Sequence, residues 1–182
     1  MTCVCRAALM WRKYMEIRLA GVVPESIVDG PGYRLAVFVQ GCPHGCPGCH
    51  NPKTHDPNGG YMGDTAEIIA QMGKNPLVRG VTLTGGEPML QPSALLEVAN
   101  AAKERGMSVW CYTGFTLEAL LKENRADRMA LLDAVDVLVD GPYIAHERSL
   151  DLLYCGSKNQ RLIDMNRTRE AGKICLFVPD AW

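Results

Sequence analysis

Residues 34–49 read RLAVFVQGCPHGCPGC, and the rest of the chain is best understood outward from them. The first seven are a strand-like run rich in Val and Phe. They lead directly into Gly41 and a C-x3-C-x2-C loop built on Cys42, Cys46 and Cys49. Thiolates are the usual ligands of iron–sulphur clusters, which commonly take four. Here three cysteines fall within one short loop, and no fourth follows at ligand spacing. Three ligands on a four-iron cluster leave one iron open, as a catalytic metal site requires. Gly41, Gly45 and Gly48, with Pro43 and Pro47, let the backbone wrap around a bulky group. His44, His50 and His55 lie close by, so a zinc site of three Cys and one His stays open as an alternative, as do inert buried thiols. Zinc sites usually pair two knuckles across a longer loop, which this run does not do. The histidines read as loop residues rather than ligands.

Beyond the loop, short apolar runs alternate with amphipathic stretches. Asp64 opens a helix with Glu67 three residues on, a capping-box pattern. Residues 80–84 (GVTLT) form a strand ending at Gly85 and Gly86. Pro92 starts a helix whose buried face is Leu95, Leu96, Val98 and Ala99, with Gly106 as its stop. Residues 108–112 form the next strand, ending at Thr113 and Gly114, and helical sequence covers 116–135 with a break near Asn124. Residues 136–139 are a fourth strand, ending at Asp140-Gly141-Pro142, and 173–178 a last β-run. Such alternation implies βαβ units around a parallel sheet, whose sites lie at the C-terminal strand ends. A full eight-unit barrel needs about 250 residues. The chain has 182, enough for a partial (β/α) barrel of about five or six units, open on one side.

The composition, 47% hydrophobic and 21% charged with net charge -1, is that of a globular protein and gives no electrostatic reason to expect nucleic acid as partner. No apolar run approaches the roughly eighteen residues that cross a bilayer, so no membrane is expected. The N-terminus lacks the h-region and cleavage site of a signal peptide, and the expected location is cytoplasmic. Residues 1–14 read as a poorly ordered extension, or translation begins at Met10 or Met15; residues 15–182 read as one domain. Of the eight cysteines, Cys3, Cys5, Cys111, Cys155 and Cys175 are scattered. Cys111 and Cys175 fall in expected strands as small buried hydrophobes.

The cysteine run resembles the signature of the radical S-adenosylmethionine (SAM) superfamily. Residues 26–51 (SIVDGPGYRLAVFVQGCPHGCPGCHN) are similar to its glycyl-radical-enzyme activases. With TGGEP at 84–88, DVLVDGPY at 136–143 and GSKNQRLID at 156–164, the likeness is to the activating proteins of anaerobic ribonucleoside-triphosphate reductases. That resemblance implies one 4Fe–4S cluster on Cys42, Cys46 and Cys49, with SAM chelated at the open iron. Gly48, Cys49 and His50 would line the adenosyl part. Gly85 and Gly86 would receive the methionyl ammonium, with the negative charge of Glu87 beside it. Asp140 would help organise the SAM site, or else cap a helix or turn. The implied activity is reductive SAM cleavage and removal of a hydrogen from a glycine of the reductase, with a low-potential donor such as flavodoxin. The alternatives are another target, such as pyruvate formate-lyase, or a zinc or electron-transfer protein. Three departures stand out: Gly48 replaces the aromatic residue common before the third cysteine, Pro142 replaces a lysine, and Cys155 replaces an arginine.

Overall fold

The computed structural model describes residues 14–179. Along these the elements are β1 (Glu16–Ser26), β2 (Tyr33–Val39), β3 (Tyr61–Asp64), α1 (Thr65–Ile69), β4 (Val78–Gly85), α2 (Pro92–Glu104), β5 (Ser108–Tyr112), α3 (Leu117–Glu123), α4 (Ala126–Ala134), β6 (Val137–Asp140), β7 (Arg161–Asp164) and α5 (Met165–Ala171). The strands form one seven-stranded sheet in the order β3-β1-β2-β4-β5-β6-β7. Neighbours β2, β4, β5 and β6 run parallel. β1 pairs antiparallel with β2 and β3, and β7 antiparallel with β6. The sheet is therefore mixed and its two edges do not meet. Its parallel part holds four strands, fewer than the five or six units expected.

Alternation along the strands sorts their side chains onto two faces. Leu35, Val37, Val39, Val81, Leu83, Val109, Cys111, Leu138 and Ile163 join the large apolar core with the buried faces of the helices. Trp110, Val137 and Val139 face the other way, packed by Tyr154, Cys155, Leu162 and Phe177. Near the start of that second face Arg34 is almost fully buried and pins three strands. Its Nε donates to Thr82 Oγ1 (2.7 Å), and its terminal nitrogens donate to Val81 O and to Ser108 O and Oγ. Burial lowers its guanidinium to about 10, with nearby Tyr112, Asp136 and Asp29 opposing the shift.

Helix punctuation follows the sequence closely. Asp64 Oδ1 accepts from Ala66 N–H at the start of α1. Asn124, with φ of 52°, separates α3 from α4. In α2 the buried face is Ala94, Leu95, Val98, Ala99, Ala101 and Ala102, with Leu96 only half-buried. The antiparallel strands are the difference. β1 carries Gly21, Pro24 and register shifts, and β3 and β7 are four residues each, so none shows a long apolar pattern. The β-run expected over 173–178 is not a strand: it contributes a single bridge, Leu176 to Ile163, and Leu176 and Val178 are exposed. Cys175 accordingly lies outside any strand and is half-buried rather than buried, whereas Cys111 is fully buried in β5. The extension expected over residues 1–14, with Cys3 and Cys5, falls outside the described residues except for Tyr14.

Candidate functional site

β2 and β4 finish side by side, Val39 opposite Gly85, so the cysteine loop and the Gly-Gly turn leave the sheet at one level. Their backbones interlock there. Gly86 N–H donates to Val39 O (2.7 Å) and Glu87 N–H to Gly41 O (2.8 Å). A β-carbon on Gly86 would lie 2.3 Å from Gly41 O, and one on Gly85 would lie 2.6 Å from Val39 N. Gly85 also has φ of 101°, which L side chains rarely adopt. The two glycines thus let β4 dock against the root of the cysteine loop. On its other side the loop is tied to the short 3-10 turn Pro52–Thr54: Gly41 N–H donates to Thr54 O (2.8 Å) and Cys42 N–H to His55 O (3.2 Å). Within the loop Cys49 N–H donates to Cys46 O, and Asn51 N–H to Cys49 Sγ.

Cys42, Cys46 and Cys49 line one cavity of about 120 Å3. The other walls come from the ends of the remaining parallel strands: Thr84, Gly85 and Gly86 after β4, Tyr112, Thr113 and Gly114 after β5, Gly141 and Tyr143 after β6. Every parallel strand contributes, as the C-terminal-edge rule requires. Burial pushes the Cys42 thiol up, helped by Glu87 and the two other cysteines and opposed by the backbone of His44. His55 lines the same cavity, and its Nε2 is, among the described residues, the one buried side-chain polar atom without a hydrogen-bond partner. No three His, Cys, Asp or Glu among those residues are gathered tightly enough for a single metal ion. Three soft sulphur donors around a shared hollow, with an unpartnered histidine among the lining residues, fit an iron–sulphur group.

Glu87 is fully buried and knots the site together. Its Oε1 accepts from Met89 N–H and Thr113 Oγ1–H, both at 2.9 Å, and its Oε2 from Gly114 N–H (2.9 Å) and His44 Nε2–H (2.8 Å). One carboxylate therefore joins the cysteine loop to the ends of β4 and β5. His44 is held further by Phe115, edge to face at 4.6 Å, and by Gly114, where a β-carbon would lie 2.4 Å from the imidazole.

Of the expected cofactor-binding residues, Cys49, Gly85 and Gly86 line the cavity; Gly48, His50, Glu87 and Asp140 do not. Glu87 accepts from the four protein donors just named. Gly48 has φ of 73° and abuts Tyr143, and exposed His50 rests 5.1 Å from the Tyr143 ring. Asp140 is buried behind the cavity, accepting from Leu117 N–H at the start of α3 (2.8 Å) and from Arg161 Nε–H (2.9 Å). Tyr143, Thr113, Gly114 and Gln160 also line the cavity without belonging to the expected site; for Thr113 and Gly114 the strand-end position is the signal in the sequence. Cys155 packs under Trp110, where burial and Asp140 raise its thiol to about 11. A larger recess, about 500 Å3, opens at the opposite end of the sheet beside Trp110 and Ser108. Its charged Lys103 and Asp136 are already paired with each other.

The family model described as "4Fe-4S single cluster domain" matches residues 28–163, which include every wall of the cavity. The chain is 34% identical over 146 residues to the anaerobic ribonucleoside-triphosphate reductase-activating protein of Escherichia coli K12, covering 75% of this chain and 92% of that one. It is 37% identical over 147 residues to the protein of that name from Salmonella typhimurium, with the same two coverages. The chain belongs to this family. The phage T4 relative, 34% identical over 151 residues and 90% covered, shows that the likeness spans bacterial and viral members. The family match supports an iron–sulphur cofactor for the region that bears the cavity. No helix of the described residues is long and apolar enough to cross a membrane.

Proposed function

We propose that this chain activates an anaerobic ribonucleoside-triphosphate reductase by reductive cleavage of SAM, placing a radical on one glycine of that enzyme. The observation that carries the reading is the shared cavity: the three cysteines and the Gly-Gly turn of β4 open onto one hollow. In this reading Cys42, Cys46 and Cys49 hold three irons of one 4Fe–4S cluster. When bound, such a cluster would supply the electron, drawn from a low-potential one-electron donor such as flavodoxin, for reductive cleavage of the SAM C5′–S bond and the removal of a hydrogen atom from the reductase glycine that this cleavage drives.

The chain's own residues bind and orient. Backbone carbonyls at Gly85 and Gly86 receive the methionyl ammonium, and Glu87 fixes the distance between that turn and the cysteines. Gly48, Cys49 and His50 border the adenosine. Asp140 acts at one remove by holding the start of α3. The sheet is read as a partial barrel of the radical SAM type, since its edges stay apart and leave a side through which the partner's glycine loop can enter. The test is anaerobic reconstitution with iron and sulphide, then dithionite and SAM. The expected results are 5′-deoxyadenosine, its loss in Cys46→Ala, and an EPR doublet on added reductase. A cluster indifferent to SAM, or a doublet arising only on another glycyl-radical enzyme, would refute the proposal.

A further inference from the structure

The unpartnered nitrogen of His55, a residue of the cavity wall, is left unused by the chemistry above. An unsatisfied buried polar group costs about 1–3 kcal/mol and calls for a partner. The main chain of His55 is tied on both sides. The His55 carbonyl accepts from Cys42 N–H at 3.2 Å, and its own N–H is directed to Pro52 O at 3.3 Å. The preceding residue accepts from Gly41 N–H. The backbone ladder that positions the first cysteine therefore also fixes the main chain that carries this imidazole. His55 lines a hollow whose other walls are thiols, glycines, His44, Gln160 and Thr and Tyr residues, and its Nε2 has no hydrogen-bond partner.

We propose that His55 Nε2–H donates a hydrogen bond to the cluster held by Cys42, Cys46 and Cys49 and thereby stabilises its reduced state. Sulphide and thiolate sulphurs are acceptors, and hydrogen bonds to them are among the protein's means of setting a cluster's potential. Reduction adds negative charge, so a donor binds the reduced form more strongly than the oxidised one and raises the potential. His55 is in this sense a positioning residue, acting on the cluster's electronic state rather than on SAM. The inference rests on the three-cysteine assignment.

The test uses the full chain, reconstituted anaerobically, as wild type, His55→Phe and His55→Gln. His55→Phe keeps a ring and loses the donor; His55→Gln restores an N–H at similar reach. The readouts are the midpoint potential from an EPR-monitored redox titration and the hyperfine couplings of the reduced cluster in protein carrying 15N-histidine, in H2O and D2O. The expected wild-type spectrum has one exchangeable proton coupling and a weak 15N coupling, both lost in His55→Phe. The potential should move negative in His55→Phe and return toward wild type in His55→Gln. An intact cluster whose potential and couplings do not change in His55→Phe overturns the proposal. So does the strong coupling of a directly bonded histidine nitrogen, or failure of both variants to hold a cluster, since a tuning bond is dispensable for assembly. Iron and sulphide content in Cys46→Ala reads the underlying assignment separately: a cluster surviving there counts against the three-cysteine site, not against His55 alone.

Discussion

Gly86 has no side chain because there is no room for one. The position its β-carbon would take is 2.3 Å from Gly41 O and 3.1 Å from Thr54 O, both backbone atoms tied into the cysteine loop. Gly86→Ala must therefore push that loop off the end of β4. The expected cost is about 1–3 kcal/mol, with loss of most bound iron after reconstitution. Gly106→Ala is the control: its φ is 69°, but nothing lies within 4 Å of the added methyl. It should lose stability of about 1 kcal/mol and keep its iron. Thermal melts and iron assays of the two variants check this, and equal iron loss in both would mean that crowding at Gly86 is not what shapes the loop.

At the scale of elements, α3 is joined to the sheet through Asp140. Thr116 Oγ1 accepts from Ala119 N–H, and the Asp140 carboxylate at the end of β6 takes the Leu117 N–H, so two of the helix's open donors are satisfied. The same carboxylate holds Arg161 of β7, which reaches on to Glu118 in the first turn of α3. Asp140→Ala is expected to cost about 2–3 kcal/mol, the lower end for a broken buried pair because Arg161 keeps Glu118. Amide exchange should accelerate in α3 before α2. Glu118→Gln, at the exposed arm of the network, should change stability by less than about 1 kcal/mol. If exchange in α3 is unaltered in Asp140→Ala, the anchor is elsewhere.

For the molecule as a whole, Asp136 is a clamp between layers. It accepts from Lys103 Nζ of α2 (2.5 Å), from Val109 N–H of β5 (2.8 Å) and from Asn166 Nδ2 of α5 (3.1 Å). Burial pushes its carboxyl up, but those three donors together outweigh burial and hold it below the usual range. A carboxylate with a lowered folded pKa stabilises the fold above its unfolded value, about 3.9, and that contribution is lost as pH falls through the folded value. Asp136→Asn should thus be less stable than wild type at pH 7 by about 1–3 kcal/mol, with the gap closing below about pH 4. Urea denaturation at pH 7 and pH 3 measures it, and an unchanged gap at pH 3 would rule the carboxylate out.

The sequence alone determined the local features: the parallel strands, whose apolar runs are long because both faces are covered; the helix caps; and the cysteine spacing. These are properties of neighbouring residues, so they survive without knowledge of the fold. The edge strands were not legible, since β3 and β7 are short and β1 is interrupted by Gly21 and Pro24; they exist by pairing with partners already in place. Only the tertiary structure decided which protein groups Glu87 and Asp140 bond and that His55 Nε2 is left without a partner. A buried carboxylate reads identically in sequence whether it meets a ligand's ammonium or four protein donors. Which of these happens depends on what the ends of β2, β4, β5 and β6 bring within hydrogen-bonding distance.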